Sequence, residues 1–363
     1  MRRGRWLALL LLGLMPLAAS ANVIRRDTYV TESSGVRLFV RELRLSDAKV
    51  SVPILLVHGA RVPGLASFDL SVPGGSFAAD LAARGFDVFV MDVRGYGRST
   101  RPPEMDRPPE DGLPLVRAEV AVQDIAAVVD WVAAQRTGGK PILFGWAAGG
   151  QWAALYASTH PKALGGLVLL NSLYGGSVEH PLMGHGTDNE DPKAPGRFNV
   201  ASCGAYRFND ALSLTRAWDR SIPVEDKAQW RDDVVQHAYV EAALASDPTS
   251  GRRTPTSFRS PCGALEDSFY AAIGQKLWDA SKIEVPTLII RSDRDFWSRP
   301  ADQSVLASDL IHAPKVRVVV LKDSTHFAHL DRPEHGRDQL LKEIQQFAQL
   351  DGPAPTSVLR GAI

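Results

Sequence analysis

Short, unbroken apolar runs alternate with helical patterns along most of the chain, and this alternation limits the possible folds more than any other feature. The runs cover residues 36–40, 54–57, 88–91, 142–144, 167–170, 287–290 and 316–321. Several lack the polar–apolar alternation of a half-exposed strand, so both faces of these strands are predicted to be buried. Helical patterns lie between them, for example at 120–135, 151–158 and 337–349. The sequence therefore predicts an α/β fold with a doubly wound, mostly parallel sheet.

Residues 172–283 interrupt the alternation, because they contain no clear buried strand. The beginning of this segment is rich in Gly and Pro, which predicts loops. Two sets of apolar residues then recur every four positions, each predicting one helix face: Trp230, Val234, Ala238 and Ala242, and then Phe269, Ile273 and Leu277. We expect residues 172–283 to form a mainly helical insertion over a core made of 22–171 and 284–350, with a loose tail at 351–363.

The amino-terminal residues have the order of a secretory signal peptide. Arg2, Arg3 and Arg5 precede an apolar run at 6–19, and the small residues at 19 and 21 provide a cleavage site. The run is shorter than the roughly 20 apolar residues that span a bilayer, which disfavours the alternative of a membrane anchor. Residues 1–21 are therefore predicted to be removed before Asn22, leaving a periplasmic or secreted protein without a stable membrane span.

The chain contains two cysteines, Cys203 and Cys262, and both lie in the insertion. In an exported protein they favour one disulfide, which would stabilise the insertion by roughly 4 kcal/mol in the chain-entropy model. Two separate buried thiols are the alternative, because a sequence does not give the Cα separation that a bridge requires.

The charge balance and the short motifs exclude several kinds of partner. Lys plus Arg and Asp plus Glu number 41 each, so a basic surface for nucleic acid is not expected. Glycine-rich nucleotide-binding motifs are absent from the sequence. One loop is rich in metal-ligating residue types, but it lacks a paired helical spacing and is predicted to be solvated: His180, His185, Asp188, Glu190 and Asp191. We predict no metal and no other cofactor.

Four groups of polar and glycine residues follow predicted strands in a fixed order. They are His58-Gly59-Ala60, the segment 92–99, Gly145-Trp146-Ala147-Ala148-Gly149, and the set formed by Asp293, Asp295 and His326. In this order the motifs resemble the α/β-hydrolase superfamily, specifically the single-domain serine hydrolases with a cap inserted after the sixth core strand. The resemblance covers nearly the whole chain after residue 21.

The resemblance places Ala147 where the family has its nucleophilic serine. Gly145, Trp146 and Gly149 complete the pentapeptide of a strained strand-to-helix turn, the nucleophile elbow. The family pattern implies that the backbone N–H groups of Ala60 and Ala148 form the oxyanion hole. A methyl group cannot attack a carbonyl carbon, so Ala147 is the main departure from the pattern.

The same resemblance assigns the other catalytic positions. His326 occupies the position of the general base and Asp295 that of the acid that orients the imidazole, with Asp293 as the competing candidate. His58 belongs to a His-Gly turn and is expected to shape the loop rather than to react. Thr325 stands where the family usually has a glycine before the histidine.

Three functions remain open from the sequence. The first is an exported hydrolase acting on an ester, lactone or amide of a small to medium apolar molecule, whose serine is replaced in this chain. The second is an enzyme that needs no serine and uses the His–Asp dyad, of the lyase or cofactor-free oxygenase type. The third is a protein that binds a small molecule in the capped pocket without turnover.

Overall fold

The computed structural model describes residues 22–46, 51–135 and 139–349. The signal-peptide prediction for 1–21 and the tail prediction for 351–363 lie outside the described residues. The strands of the described part are β1 Val23–Thr31, β2 Arg37–Leu45, β3 Val52–Val57, β4 Phe86–Met91, β5 Ile142–Trp146, β6 Gly166–Leu170, β7 Tyr206–Asp210, β8 Ser257–Pro261, β9 Thr287–Ser292 and β10 Val316–Leu321. The helices there are α1 Gly64–Phe68, α2 Phe77–Ala83, α3 Ala118–Gln135, α4 Ala148–Thr159, α5 Ala211–Asp219, α6 Asp233–Ala245, α7 Gly263–Ala272, α8 Pro300–Asp309 and α9 Asp338–Gln349.

Eight strands form one sheet in the order β1-β2-β4-β3-β5-β6-β9-β10. The strands from β4 to β10 in this order are parallel, and β2 is antiparallel to both of its neighbours. Helices connect the parallel strands, as the alternating sequence pattern requires. The predicted fold class, a doubly wound and mostly parallel α/β sheet, is confirmed.

The central strands are buried because both faces of the sheet are covered. In β3, Ile54 and Leu56 pack into one apolar cluster, whereas Leu55 and Val57 pack into the cluster on the other face. Successive side chains of a strand point to opposite faces, so a strand covered on both sides needs a continuous apolar run. The edge strand β1 was not predicted, because most of its residues are exposed and polar.

The insertion after β6 contains helices α5, α6 and α7, and it also contains the antiparallel pair β7–β8. The expectation that this segment has no clear buried strand was wrong, since β8 is buried throughout; both strands are short and mix polar with apolar residues. The predicted helix faces were right only in part, because Trp230, Phe269 and Ile273 are buried but other members are not. Val234 is 57% exposed, and the buried residues of α6 include Val235 and Tyr239 instead. Likewise, α7 ends at Ala272, so Leu277 lies beyond it.

A disulfide joins Cys203 to Cys262, with the two Cα atoms 6.2 Å apart. It lies beside the β7–β8 pair, where the Cys262 N–H donates to the carbonyl of Ala205. The bond links the segment before β7 to the start of α7 and so closes the insertion on itself.

Within the described residues, every helix is too short or too polar to cross a bilayer.

Candidate active site

A strained turn joins β5 to α4 at the centre of the sheet. Ala147 lies between these elements with φ 53° and ψ −118°, a conformation that a residue with a Cβ adopts only at a cost of about 1–3 kcal/mol. The glycines on either side are required for packing. A Cβ on Gly145 would lie 2.3 Å from the Gly149 oxygen, and one on Gly149 would lie 2.4 Å from the His58 oxygen. The backbone therefore has the form of a nucleophile elbow, although residue 147 carries only a methyl group.

His326 and Asp295 form a hydrogen-bonded pair beside this turn. The His326 Nδ1 donates to the Asp295 Oδ1 over 2.7 Å, and the Asp295 side chain is fully buried. The same carboxylate accepts the backbone N–H groups of Trp297 and Ser298 at 2.9 and 2.8 Å. Because an ionised carboxylate only accepts, this geometry places the proton of a neutral imidazole on Nδ1 and leaves Nε2 as the basic nitrogen.

The competing carboxylate, Asp293, has another role. It is exposed and accepts the backbone N–H groups of Asp323 and Ser324, each at 3.1 Å. It therefore supports the loop that leads from β10 to His326 and does not contact the imidazole.

Two side chains that the sequence analysis did not assign to this role hold the backbone of His326. The Trp146 Nε1 donates to the His326 carbonyl at 3.0 Å, and the Asn171 Nδ2 donates to the same oxygen at 3.2 Å. Asn171 is fully buried at the end of β6, and its amide oxygen accepts the Ser292 N–H at 2.7 Å. These contacts connect the ends of β5, β6 and β9 to the histidine loop. A lone Asn after a strand carries no motif, which explains why it was missed.

Thr325 organises the histidine loop through its hydroxyl group. Its Oγ1 donates to Asp331 at 2.7 Å and accepts the Phe327 N–H at 3.0 Å. The indole N–H of Trp218, on α5 of the insertion, donates to the other Asp331 oxygen at 2.7 Å. Burial raises the pKa of Asp331 to about 6, although these donors oppose the shift. Thr325, which stands where the family usually has a glycine, thus links the histidine loop to the insertion through Asp331.

The loop after β3 carries Ala60, whose backbone N–H is predicted to form the oxyanion hole together with that of Ala148. The Val93 N–H donates to the His58 Nε2, so the His58 Nδ1 carries the proton and donates to the Gly59 oxygen at 2.8 Å. Burial lowers the pKa of His58, which favours this neutral form. Among the described backbone groups, neither Ala60 N–H nor Ala148 N–H has an acceptor. Both residues line a cavity that also contains Ala147 and His326.

This cavity has a volume of about 280 Å³ and lies between the carboxyl end of the sheet and the insertion. Apolar side chains from the core and the insertion form much of its wall: Val62, Leu182, Met183, Leu265, Phe296 and Phe327. Arg61, Arg207 and Arg220 also line it. The apolar ligand expected from the sequence does not account for these three cations.

The metal-ligating residue types of the loop at 180–191 do not meet in one cluster. His180 Nε2 donates to the Trp297 oxygen at 2.8 Å, and His185 pairs with Glu190 at 2.7 Å. Glu190 also accepts the N–H groups of Gly186 and Gly196, so its carboxylate closes the loop. Within the described residues, no group of three or more potential metal ligands comes together.

A parallel sheet with a strained strand-to-helix turn and a His–Asp pair beyond its strand ends defines the α/β-hydrolase class of proteins. The family model of the α/β hydrolase fold matches residues 52–333, more than half of the chain. The chain therefore belongs to the α/β-hydrolase family.

Solved structures of similar fold include several bacterial esterases. A thermophilic esterase from Thermogutta terrifontis, with malate bound, is 17% identical at a TM-score of 0.55, covering 90% of this chain and 100% of that one. An esterase from a Rhodococcus species is 16% identical at a TM-score of 0.57, covering 90% and 99%. An esterase from Exiguobacterium antarcticum is 14% identical at a TM-score of 0.55, covering 89% and 100%. At these identities the likeness establishes the shared fold.

Proposed function

We propose that this chain has the active site of an exported carboxylic ester hydrolase in which the nucleophile has been replaced by Ala147. One observation carries the proposal: His326, hydrogen-bonded to Asp295, lines the same cavity as a fully formed elbow at Ala147. The unpartnered N–H groups of Ala60 and Ala148 support it, since backbone donors do not depend on the side chain at 147. Esters, lactones and amides of small to medium apolar molecules are the substrate class.

In this proposal a serine at position 147 would complete a triad. Its hydroxyl would attack the carbonyl carbon while the His326 Nε2 takes the hydroxyl proton. Asp295 would stabilise the resulting imidazolium, and the N–H groups of Ala60 and Ala148 would stabilise the oxyanion of the tetrahedral intermediate. His326 would then protonate the leaving group, and water would hydrolyse the acyl-enzyme by the same steps.

The test is the substitution Ala147→Ser, assayed with short and medium acyl p-nitrophenyl esters and a fluorophosphonate probe. We expect turnover to rise by on the order of 10³-fold or more, because the other parts of the triad are in place. The probe should label the Ala147→Ser chain and not the double variant that also carries His326→Ala. An Ala147→Ser chain that neither labels nor hydrolyses any ester, lactone or amide would contradict the proposal and favour a binding protein.

A dyad enzyme is the second candidate. It is favoured by the hydrogen bonding of His326, whose Nδ1 is held by Asp295 while Nε2 has no partner among the described residues. Such a histidine can act directly as a general base on a substrate proton or on water. Equal activity of the original chain and the Ala147→Ser variant, lost in both on His326→Ala, would establish this alternative.

Export to the periplasm or beyond the cell is part of the proposal. The Cys203–Cys262 disulfide supports it, because disulfides persist in oxidising compartments.

A further inference from the structure

The cavity beside Ala147 is strongly cationic on one side. Arg61, Arg207 and Arg220 line it, and no acidic residue does so among the described residues. Arg61 and Arg207 are partly buried and Arg220 is exposed, and charges removed from water are normally paired. The arginines of the cavity therefore need an anionic partner, which the lining residues do not supply.

The β7–β8 pair determines the direction of Arg207. Side chains alternate along β7, so Arg207 and Asn209 share one face while Tyr206 and Phe208 share the other. Arg207 lines the cavity, and Asn209 is 2% exposed and accepts a hydrogen bond from Arg61, so this face of β7 borders the cavity. The strand thus directs a guanidinium group toward the site rather than into solvent.

Arg207 has no partner within the described part of the protein. Its Nε is buried without an acceptor, and none of the described carboxylates pairs with its guanidinium group. Burial lowers the pKa of Arg207 to about 9, and repulsion from Arg61 acts in the same direction. An anion bound near these two arginines would offset the cost of burying Arg207 and its repulsion from Arg61.

The partners of Arg61 are neutral. Its Nε donates to Asn209 Oδ1 at 3.0 Å and a terminal nitrogen donates to Ser213 Oγ at 2.9 Å. Asp210 accepts the Ser213 N–H at the start of α5, and its carboxylate attracts Arg61 without a direct hydrogen bond. Arg220 lies farther out, stacked on Phe296 with 5.2 Å between its guanidinium carbon and the ring centre.

We propose that this cavity binds esters that carry a free carboxylate, with Arg207 and Arg61 holding the carboxylate and Ala147 facing the ester carbonyl. The inference rests on the proposed hydrolase function for the ester part of the ligand. A guanidinium fork matches a carboxylate in shape and can donate two parallel hydrogen bonds. The apolar wall at Leu182 and Phe327 would accommodate a short hydrocarbon link between the two ends. A small half-ester of a dicarboxylic acid fits this description.

The test compares two ligands of the same shape by calorimetric titration of the chain as it stands. Monomethyl glutarate carries the carboxylate, and methyl glutaramate replaces it with a neutral amide. We expect the anion to bind about 10- to 100-fold more tightly, because charge-assisted hydrogen bonds are worth more than neutral ones. Inorganic phosphate should bind more weakly than monomethyl glutarate, since it has no apolar part.

The variant Arg207→Met removes the charge and keeps a similar apolar stem. It should weaken binding of monomethyl glutarate by about tenfold or more and leave that of methyl glutaramate nearly unchanged. Arg216→Met is the matched control, because Arg216 is an exposed arginine of α5 outside the cavity, and it should change neither affinity. The two-ligand comparison on the unsubstituted chain does not depend on any variant folding.

Equal affinity for the two ligands, or phosphate binding as tight as that of the half-ester, would overturn the inference. These outcomes are separable from failure of the hydrolase proposal, which is measured by fluorophosphonate labelling of Ala147→Ser. Preference for the anion that is lost in Arg207→Met would support the anion site even if the Ala147→Ser chain did not label.

Discussion

At residue 147 the chain has a methyl group in the strained backbone conformation of a nucleophile elbow. The two carboxylates near His326 differ just as sharply. Asp295 is buried and hydrogen-bonded to the imidazole, whereas Asp293 is exposed and bonded to backbone N–H groups. Two residues apart in sequence, they occupy different environments because the chain turns between them.

This difference predicts unequal effects of removing each charge in the Ala147→Ser background. Asp295→Asn should lower kcat by on the order of 10⁴-fold, because the asparagine cannot favour the Nδ1–H tautomer or stabilise the imidazolium. Asp293→Asn, the matched control, should lower kcat by less than about tenfold, since it retains one acceptor for the loop. Steady-state hydrolysis of p-nitrophenyl acetate by both variants provides the measurement. A larger loss in Asp293→Asn would reverse the assignment of the acid.

The elbow, His326 and Asp295 were assigned from the resemblance to the family, whose motifs follow successive strands. The structure brings them together because the ends of parallel strands meet at one edge of the sheet. The sequence did not locate Asn171 or the Asp331 carboxylate that Thr325 contacts, since their roles depend on contacts across the fold. The cationic cavity was also missed. Zero net charge over the whole chain conceals three arginines gathered in one place.

At the scale of elements, the insertion is held together by polar contacts that periodicity cannot reveal. Asp247, just after α6, is fully buried and binds Arg259 on β8 through two hydrogen bonds of 2.9 and 3.1 Å. Arg259 also pairs with Asp106, which is 80% exposed and lies outside the insertion. The helix pattern of the sequence indicated α6 but not the strand that this ion pair anchors.

Asp247→Asn should lower the free energy of unfolding by about 3 kcal/mol at pH 7, because it leaves Arg259 buried without its main partner. Burial alone would raise the pKa of Asp247, but hydrogen bonds from Arg259 and Thr249 outweigh it and hold the pKa below its ordinary value of 3.8. The carboxylate therefore stabilises the fold above that value, and its contribution is lost as the pH falls toward the folded-state pKa. The cost of the substitution should be smaller at pH 3 than at pH 7.

Urea unfolding followed by tryptophan fluorescence at the two pH values tests this prediction. Asp106→Asn is the matched control, since it removes an exposed partner of the same arginine and should cost less than about 1 kcal/mol. Equal losses in the two variants would show that the buried ion pair does not anchor the insertion.

At the scale of the whole molecule, the sheet and the insertion enclose the site jointly. Trp218 of α5 donates to Asp331 in the histidine loop, and Arg61 of the core loop donates to Asn209 of β7. The overall architecture was predictable because buried parallel strands have a strong apolar signature. The arrangement of the insertion was not, because its packing depends on these contacts between distant segments.

If the protein is expressed in a cell that exports it, we expect the mature chain to begin at Asn22 and to carry the Cys203–Cys262 bridge. Signal peptidases cleave after small residues at the −3 and −1 positions, which here are residues 19 and 21. N-terminal sequencing of the protein from the periplasm or medium, with non-reducing peptide mapping, checks both points. A mature chain that retains residues 6–19, or two freely alkylated thiols, would contradict the prediction.

The alanine at the elbow also determines what an affinity measured on this protein means. In a working serine hydrolase, a substrate is consumed or trapped as an acyl-enzyme before its equilibrium with the free protein can be observed. Here no covalent ester can form at residue 147, while the strained backbone and the His326–Asp295 pair of the family's active site are present. A dissociation constant obtained with this chain therefore reports recognition of an ester without acylation at residue 147.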